Sequence, residues 1–252
     1  MEANGHERML TVCLLEFFGV ALFAFGVLNS NDGASIPFSL IASCIIFGDV
    51  TGGHMNPAIT IAVFTSLGSY SKNILFACCI ILSQFAGGIA GVGLSWLGNY
   101  NQPYTLAPVL APRNPVTRTF DNNDMEGDFE MDLAVMWNEV IGTFLFASMV
   151  LLVKGKHTAG ERKGVCAGMH VAATLLAVIS GTNSLGSCIN PAIGVSVAVN
   201  SVLKYRHHIP STAFMTHYTY AYTVGPAIGG LLAGLFHLIH AKFHEPDPRE
   251  TA

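Results

Sequence analysis

The sequence predicts an all-α membrane protein in which six transmembrane helices and two re-entrant half-helices form an inverted repeat. Three observations predict it: the scarcity of charge, a series of long apolar runs and two copies of the tripeptide Asn-Pro-Ala. Of the 252 residues, 51% are hydrophobic and only 11% are charged, whereas soluble domains carry about 25% charged residues. The net charge is −4, and the basic residues do not form a stripe along the sequence. This composition favours an integral membrane protein over a soluble enzyme, and it gives no reason to expect a nucleic-acid partner.

The apolar runs supply the spans, since a transmembrane helix needs about 20 apolar residues. The run that starts at Leu10 is long enough to cross a bilayer and follows Glu2 and Glu7, so we interpret it as the first span and not as a cleaved signal. The six predicted spans are Leu10–Leu28, Ile36–Val50, Ile74–Leu97, Leu133–Val153, Gly164–Ser180 and Tyr218–His240, of which the second is the shortest.

Two further apolar segments, Pro57–Leu67 and Pro191–Val202, are too short to span. Each follows a polar stretch that contains glycine, Thr51–His54 in one case and Gly181–Ser187 in the other. Irregular backbone is tolerated inside a membrane only where it lines a watery cavity or is buried in protein. The two segments are therefore predicted to be half-helices that enter the membrane and end inside it.

The order of elements is span, span, half-helix, span, and this order occurs twice. The residues repeat as well, because Gly48–Ile59 corresponds to Ser184–Ile193 and Glu16 corresponds to Glu139. An odd number of spans in each repeat turns the second half upside down, which places a functional site near the bilayer midplane. The predicted organisation is a single channel domain with repeat one at about 10–97, a polar loop at 98–132, repeat two at about 133–240 and a tail at 241–252.

Loop charges predict the orientation, because cytosolic loops are enriched in Lys and Arg. The loop between the fourth and fifth spans is basic, whereas loop 98–132 is mainly acidic, so both termini are predicted to be cytosolic. Two basic residues after the second half-helix mildly oppose this orientation. The basic residues of the cytosolic loop are Lys154, Lys156, Arg162 and Lys163, and the two opposing residues are Lys204 and Arg206.

The two tripeptides, Asn56-Pro57-Ala58 and Asn190-Pro191-Ala192, suit helix starts that meet inside the membrane. Asn is a preferred N-cap, Pro is favoured at the first helical position, and Ala lets two helix tips approach closely. Each helix N-terminus carries about half a positive charge. Two such ends at the midplane would oppose a cation and pass a neutral water, which can accept hydrogen bonds from the Asn amides. Backbone carbonyls that can accept from water are predicted at Gly52, Gly53, His54, Gly186 and Cys188.

Together these motifs resemble the aquaporin, or major intrinsic protein, family. Besides both Asn-Pro-Ala turns, the resemblance includes Glu16, Glu139, Gln84 and the Gly225-Pro226 pair. It implies a right-handed six-helix bundle with a pore in every subunit and four subunits per assembly, with water, small neutral solutes and the lipid bilayer as the partners.

The resemblance also implies a constriction, located by counting from the two Asn residues, at Ile36, Val178, Ser187 and Ile193. Most relatives have Arg where this chain has Ile193, and water-selective ones have His where it has Val178. Ile193 is similar to the aliphatic residue of the plant tonoplast branch, which hints at a vacuolar membrane, although the plasma membrane fits the sequence equally. A constriction lined by aliphatic side chains predicts passage of ammonia, hydrogen peroxide, urea or glycerol besides water.

Glu16 and Glu139 are costly inside a bilayer and therefore need a role. We expect each carboxylate to accept N–H groups from a half-helix loop, and we expect His54 to fix its own loop by bonding a carbonyl. The sequence shows no nucleophile elbow, phosphate loop or metal-ligand cluster, so no catalytic residue, cofactor or metal is expected. Two alternatives stay open: an ion- or proton-coupled secondary transporter with an inverted repeat, and a mainly structural membrane protein that does not conduct.

Overall fold

The computed structural model describes residues 5–30, 35–68, 70–99, 129–154, 165–182, 186–205 and 217–244. All the regular structure in these ranges is helical, and the helices follow the predicted order. The charged segments on which the predicted orientation rests, 100–128 and 155–164, lie outside the described residues. The eight helices are α1 Gly5–Leu28, α2 Ser35–Thr51, α3 Pro57–Ser66, α4 Tyr70–Gly98, α5 Phe129–Lys154, α6 Val165–Thr182, α7 Pro191–Tyr205 and α8 Ala221–His244.

Four of these helices, α1, α4, α5 and α8, are long and apolar enough to cross a membrane. The other two predicted spans are shorter, since α2 has 17 residues and α6 has 18. At about 1.5 Å per residue they extend roughly 26 Å, slightly less than a hydrocarbon core of about 30 Å. The half-helices α3 and α7 have 10 and 15 residues and cannot span.

Several helices extend beyond the predicted apolar bounds, and two helix starts illustrate the cause. Helix α1 starts at Gly5 and not at Leu10, because its first turns carry exposed polar side chains that the apolar pattern does not register. Helix α8 starts at Ala221, whereas Tyr218–Tyr220 form a turn ahead of it. Hydropathy thus located the apolar part of each helix, and the backbone continues or turns beyond it.

The packing of the helices repeats in the two halves. Helix α1 packs on α4 as α5 packs on α8, and α1 contacts α2 as α5 contacts α6. Each half-helix also packs against the last span of the opposite repeat, α3 on α8 and α7 on α4. This exchange brings both half-helices to the centre of one bundle.

Two glycines allow each half-helix to pack closely on the last span of the opposite repeat, because the first turn of the half-helix lies directly against them. A Cβ atom on Gly230 of α8 would lie 2.2 Å from the carbonyl oxygen of Ala58 in α3. A Cβ atom on Gly88 of α4 would lie 3.0 Å from the carbonyl oxygen of Ala192 in α7. A side chain at Gly230 would force α3 to shift, and a side chain at Gly88 would crowd α7, so these glycines help to set the depth of both helix tips.

Candidate pore at the meeting of the two half-helices

Both half-helices begin with the predicted Asn cap. Asn56 has extended backbone, and its Oδ1 accepts the N–H of Ala58 at 2.8 Å, with Pro57 at the first helical position. Asn190 Oδ1 likewise accepts the N–H of Ala192 at 3.0 Å. A side-chain cap satisfies a donor that the helix start cannot pair. Both Asn side chains are almost fully buried, at 3% exposure each.

The amide nitrogens of the same two residues join the halves of the molecule. Asn56 Nδ2 donates to the carbonyl oxygen of Ile189 at 2.9 Å. Asn190 Nδ2 donates to the carbonyl oxygen of Met55, also at 2.9 Å. The structure therefore brings both tripeptides together, and it links each Asn side chain to the backbone just ahead of the other.

Met55 and Ile189, the residues directly before the two Asn caps, have left-handed backbone with φ of 47° and 50°. Such a conformation costs a residue with a side chain about 1–2 kcal/mol. Here it turns the N–H of the residue towards a buried carboxylate and its carbonyl towards the opposite Asn. Sequence reasoning missed this feature, because Met and β-branched Ile give no signal for positive φ.

Glu16 and Glu139 are fully buried, and their carboxylates bond the two loops in the same way. Glu16 accepts the N–H groups of His54 at 3.0 Å and Met55 at 2.8 Å. Glu139 accepts the N–H groups of Cys188 and Ile189, both at 2.7 Å. Each carboxylate thus takes up two backbone donors that irregular loops would otherwise leave without partners in a low-dielectric setting.

The first repeat has an additional polar network that the second lacks among its described residues. Gln84 Nε2 donates to Glu16 Oε2 at 2.7 Å and to Thr60 Oγ1 at 2.9 Å. Thr60 Oγ1 also lies 3.2 Å from His54 Nδ1. This contact is to a hydroxyl on α3, and the bond from the His54 side chain to a loop carbonyl stays a prediction. No local sequence pattern indicated the contact of Gln84 with Thr60.

Two cavities lie on either side of this centre. The small cavity, of about 70 Å³, holds both Asn residues and is otherwise mainly aliphatic. The large cavity, of about 280 Å³, is bounded by the C-terminal half of α2, the α2–α3 loop, α5 and α6. The two cavities share Leu40, His54 and Phe146 in their walls.

Three of the four predicted constriction residues, Ile36, Ser187 and Ile193, line the small cavity. Val178 does not. It is 9% exposed and points at Gly142 of α5, where an added Cβ would lie 3.0 Å from Val178 Cγ1. Helix α6 instead contributes Leu175 and Ile179 to the wall. A count along the chain fixes a position to within one residue, and one residue on a helix is a rotation of about 100°.

The predicted carbonyl stretches take up positive φ at their glycines, with 85° at Gly52, 63° at Gly53 and 73° at Gly186. Gly52 and Gly53 line the large cavity, Cys188 lines the small one, and His54 lines both. Within the described ranges, no group of three or more His, Cys, Asp or Glu side chains converges on a metal site.

The meeting point of the two half-helices combines hydrogen-bond donors with two positive helix ends. Neither α3 nor α7 has an acidic residue in its first turn, so the partial positive charge of each N-terminus is not neutralised within its own helix. Ser187 also lines the small cavity, next to Cys188 and Ile189. Such a site suits a small neutral molecule with an acceptor oxygen or nitrogen better than it suits a cation.

Comparison with known proteins gives a consistent result. A model of the family described as Major intrinsic protein matches residues 9–237. The chain is 29% identical over 262 residues to aquaporin-1 of Rhizophagus irregularis, covering 95% of this chain and 81% of that protein. It is 28% identical over 248 residues to aquaporin-8 of Notomys alexis, with 92% and 82% covered. The X-ray structure of the aquaglyceroporin from Plasmodium falciparum aligns with a TM-score of 0.71 at 16% identity, over 91% of this chain and 95% of that one. This likeness confirms the predicted fold class.

Proposed function

The chain belongs to the major intrinsic protein family, whose members are channels and not enzymes, and we propose that it conducts water and small neutral solutes passively across a bilayer. The observation that carries the proposal is the pair Asn56 and Asn190, linked across the centre and lining a cavity there. The path runs from the large cavity past His54 and the two Asn amides into the small cavity.

In this proposal the Asn pair is the point of selection. Each side-chain amide has two N–H groups and uses one of them on the opposite loop. The second N–H is available to the oxygen of a passing water, whose own hydrogens then point away along the path. A cation meets two positive helix ends and two amide donors at this point, so its dehydration is poorly compensated. The proposal therefore includes the exclusion of ions, protons among them.

We also propose a permissive solute range that includes glycerol, urea, ammonia and hydrogen peroxide. Support comes from the wall of the small cavity, where Ile36, Ile179 and Ile193 stand without any Lys or Arg among the described lining residues. Aliphatic side chains leave out the fixed donors and the charge that would favour water over other neutral molecules. The solved structure with a similar fold is titled an aquaglyceroporin, which agrees with such a range.

Stopped-flow light scattering on reconstituted vesicles tests the proposal against both alternatives. Sucrose should shrink the vesicles faster than protein-free ones, and urea or glycerol should give shrinkage followed by reswelling. Shrinkage at the protein-free rate would identify a non-conducting structural protein. Solute flux that requires a proton or ion gradient would identify a secondary transporter. Water flux without any urea, glycerol, ammonia or peroxide flux would overturn the permissive range alone.

The assembly and orientation are further parts of the proposal. We propose a homotetramer with a pore in each subunit and both termini in the cytosol, in the plasma membrane or a vacuolar membrane. Described helices carry many exposed large apolar side chains, among them Phe38, Leu82 and Ile239, which suit lipid or a neighbouring subunit. Mass measurement in detergent and protease access to each terminus in sealed vesicles would test these two points.

A further inference from the structure

The large cavity contains an acid that the proposed conduction path does not need. Asp49 is exposed, lies in the last turn of α2 and lines the cavity beside Gly52 and Gly53. The C-terminus of a helix carries about half a negative charge, and α2 has no basic residue in its last turn. Two negative contributions therefore coincide at this wall, and no described Lys or Arg lines the cavity to balance them.

The rest of the wall is apolar. Helices α2, α5 and α6 contribute aliphatic side chains that include Ile45, Val150 and Val171, and Phe146 adds an aromatic ring. The cavity is also roomy near α6, because a Cβ added to Gly168 would have no heavy atom within 4 Å. A cavity with one negatively charged side and one apolar side suits a ligand that has a positive charge and a hydrocarbon body.

We propose that the large cavity binds a small organic cation with one ammonium group and a short aliphatic chain, and that the bound ion occludes the passage. The occlusion rests on the proposed function, whereas the binding does not. The ammonium group lies against Asp49 and the end of α2, and the chain lies along the aliphatic wall. A hydrated inorganic cation would lose water against this wall with too few oxygen ligands in return. The bound ion cannot proceed, because the positive ends of α3 and α7 face it.

Long-range attraction is not the source of the affinity. The sequence has Lys156, Arg162 and Lys163 in the segment between α5 and α6, and both of these helices border the cavity. These charges oppose the approach of a cation, so the contact with Asp49 and the burial of the chain have to supply the binding. We therefore expect affinity in the range of about 1 mM and a clear dependence on the length of the chain.

The test uses butyltrimethylammonium, whose charge does not depend on pH, and the full chain. Binding is measured by saturation-transfer NMR in detergent, and block is measured by stopped-flow water flux with the ion on both sides of the vesicles. The neutral analogue 4,4-dimethylpentan-1-ol has the same number of heavy atoms and the same chain length, and it should bind and block much less. Asp49→Asn keeps the shape and removes the charge, and it should weaken both binding and block about tenfold, which equals a loss of about 1.4 kcal/mol.

A second pair of variants tests the location. Gly168→Leu should fill the cavity and remove binding, whereas Gly93→Leu should not, because Gly93 is exposed on α4 and also has nothing within 4 Å of an added Cβ. Equal binding by wild type and Asp49→Asn, or unchanged binding in Gly168→Leu, would overturn the site. Binding without any loss of water flux would overturn the occlusion. A protein that binds the ion and passes no water even in its absence would overturn the proposed function and leave the site standing.

Discussion

Asn56 and Asn190 each hold the loop that carries the other. The Nδ2 atom of Asn56 donates to the carbonyl just before Asn190, the Nδ2 atom of Asn190 donates to the carbonyl just before Asn56, and both distances are 2.9 Å. Each Oδ1 meanwhile caps its own half-helix. One amide therefore fixes a helix start and a tertiary contact together, and a change in the amide should affect both stability and selection.

Replacement of Asn56 by Asp separates these two roles. The carboxylate keeps the acceptor for the N–H of Ala58 but has no N–H for the carbonyl of Ile189. Leaving that buried carbonyl without its donor should cost about 1–3 kcal/mol of unfolding free energy. The new negative charge between the helix ends should also admit cations. Thermal unfolding in detergent and a pH-sensitive dye inside vesicles measure the two effects, and Asn190→Asp should match because its contacts match. A stable, proton-tight Asn56→Asp protein would contradict the proposed role of the pair.

The two buried carboxylates should prove structural, and unequally so. Glu139→Gln turns one carboxylate oxygen into an NH2 group that faces the N–H of Cys188 or Ile189, and this should cost about 1–3 kcal/mol. Glu16→Gln should cost more, since Glu16 also accepts from Gln84. We expect a lower unfolding midpoint and a lower folded yield for both variants, with an unchanged ratio of urea to water permeability per folded molecule. A changed ratio at full stability would instead indicate a direct role in conduction.

Val178 and Ile179 should differ although they are neighbours. Ile179→Ala removes bulk from the wall of the small cavity and should raise glycerol and urea flux relative to water flux. Val178→Ala leaves a gap against Gly142 and should cost about 2 kcal/mol of stability with little change in that ratio. Solute reswelling rates and unfolding midpoints of the two variants, measured side by side, distinguish the effects. The reverse pattern would indicate that Val178, and not Ile179, lines the constriction.

Gly230 should not tolerate even a methyl group. In Gly230→Ala the Cβ would lie 2.2 Å from a backbone oxygen of α3, which no rotamer change relieves, so α3 has to shift. We expect a severe loss of folded protein or, in what folds, of water flux. Gly93→Ala is the matched control, because its Cβ meets no atom within 4 Å, and it should be neutral or slightly stabilising through better helix propensity. Folded yield by size-exclusion chromatography is the measurement, and a well-folded, fully conducting Gly230→Ala protein would show that the two helices lie further apart.

The fold was predictable because its signals are local. Apolar length marks the helices inside the membrane, and Asn followed by Pro marks the starts of α3 and α7. The meeting of Asn56 with Asn190 followed from the inverted repeat. The positive φ of Met55 and Ile189 was not predictable, since it is imposed from outside by a carboxylate on one side and an Asn amide on the other. Nothing in the residue types encodes that constraint.

The wall of the small cavity shows a second limit on what the sequence can predict. The positions of Ile193 and Ser187 follow from the second tripeptide, because both residues lie three positions from Asn190. Residues of α6 can be counted from the same Asn only across residues 183–185, which lie outside the described ranges. The rotation of α6 about its axis depends on packing, which turns Val178 towards Gly142 and Ile179 towards the small cavity. The contact between Thr60 and Gln84, on different helices, likewise depends on how α3 and α4 pack.

The reciprocal Asn contacts also constrain how the chain matures. Their partners are separated by 133 and 135 residues, so the first repeat leaves the ribosome with an amide and a loop carbonyl that nothing can yet satisfy. An N-terminal half inserted on its own would hold these groups in the bilayer until the second half is threaded in. Assembly is therefore expected to be completed late and in one step, and a truncated first repeat should be a substrate for membrane quality control and not a stable intermediate.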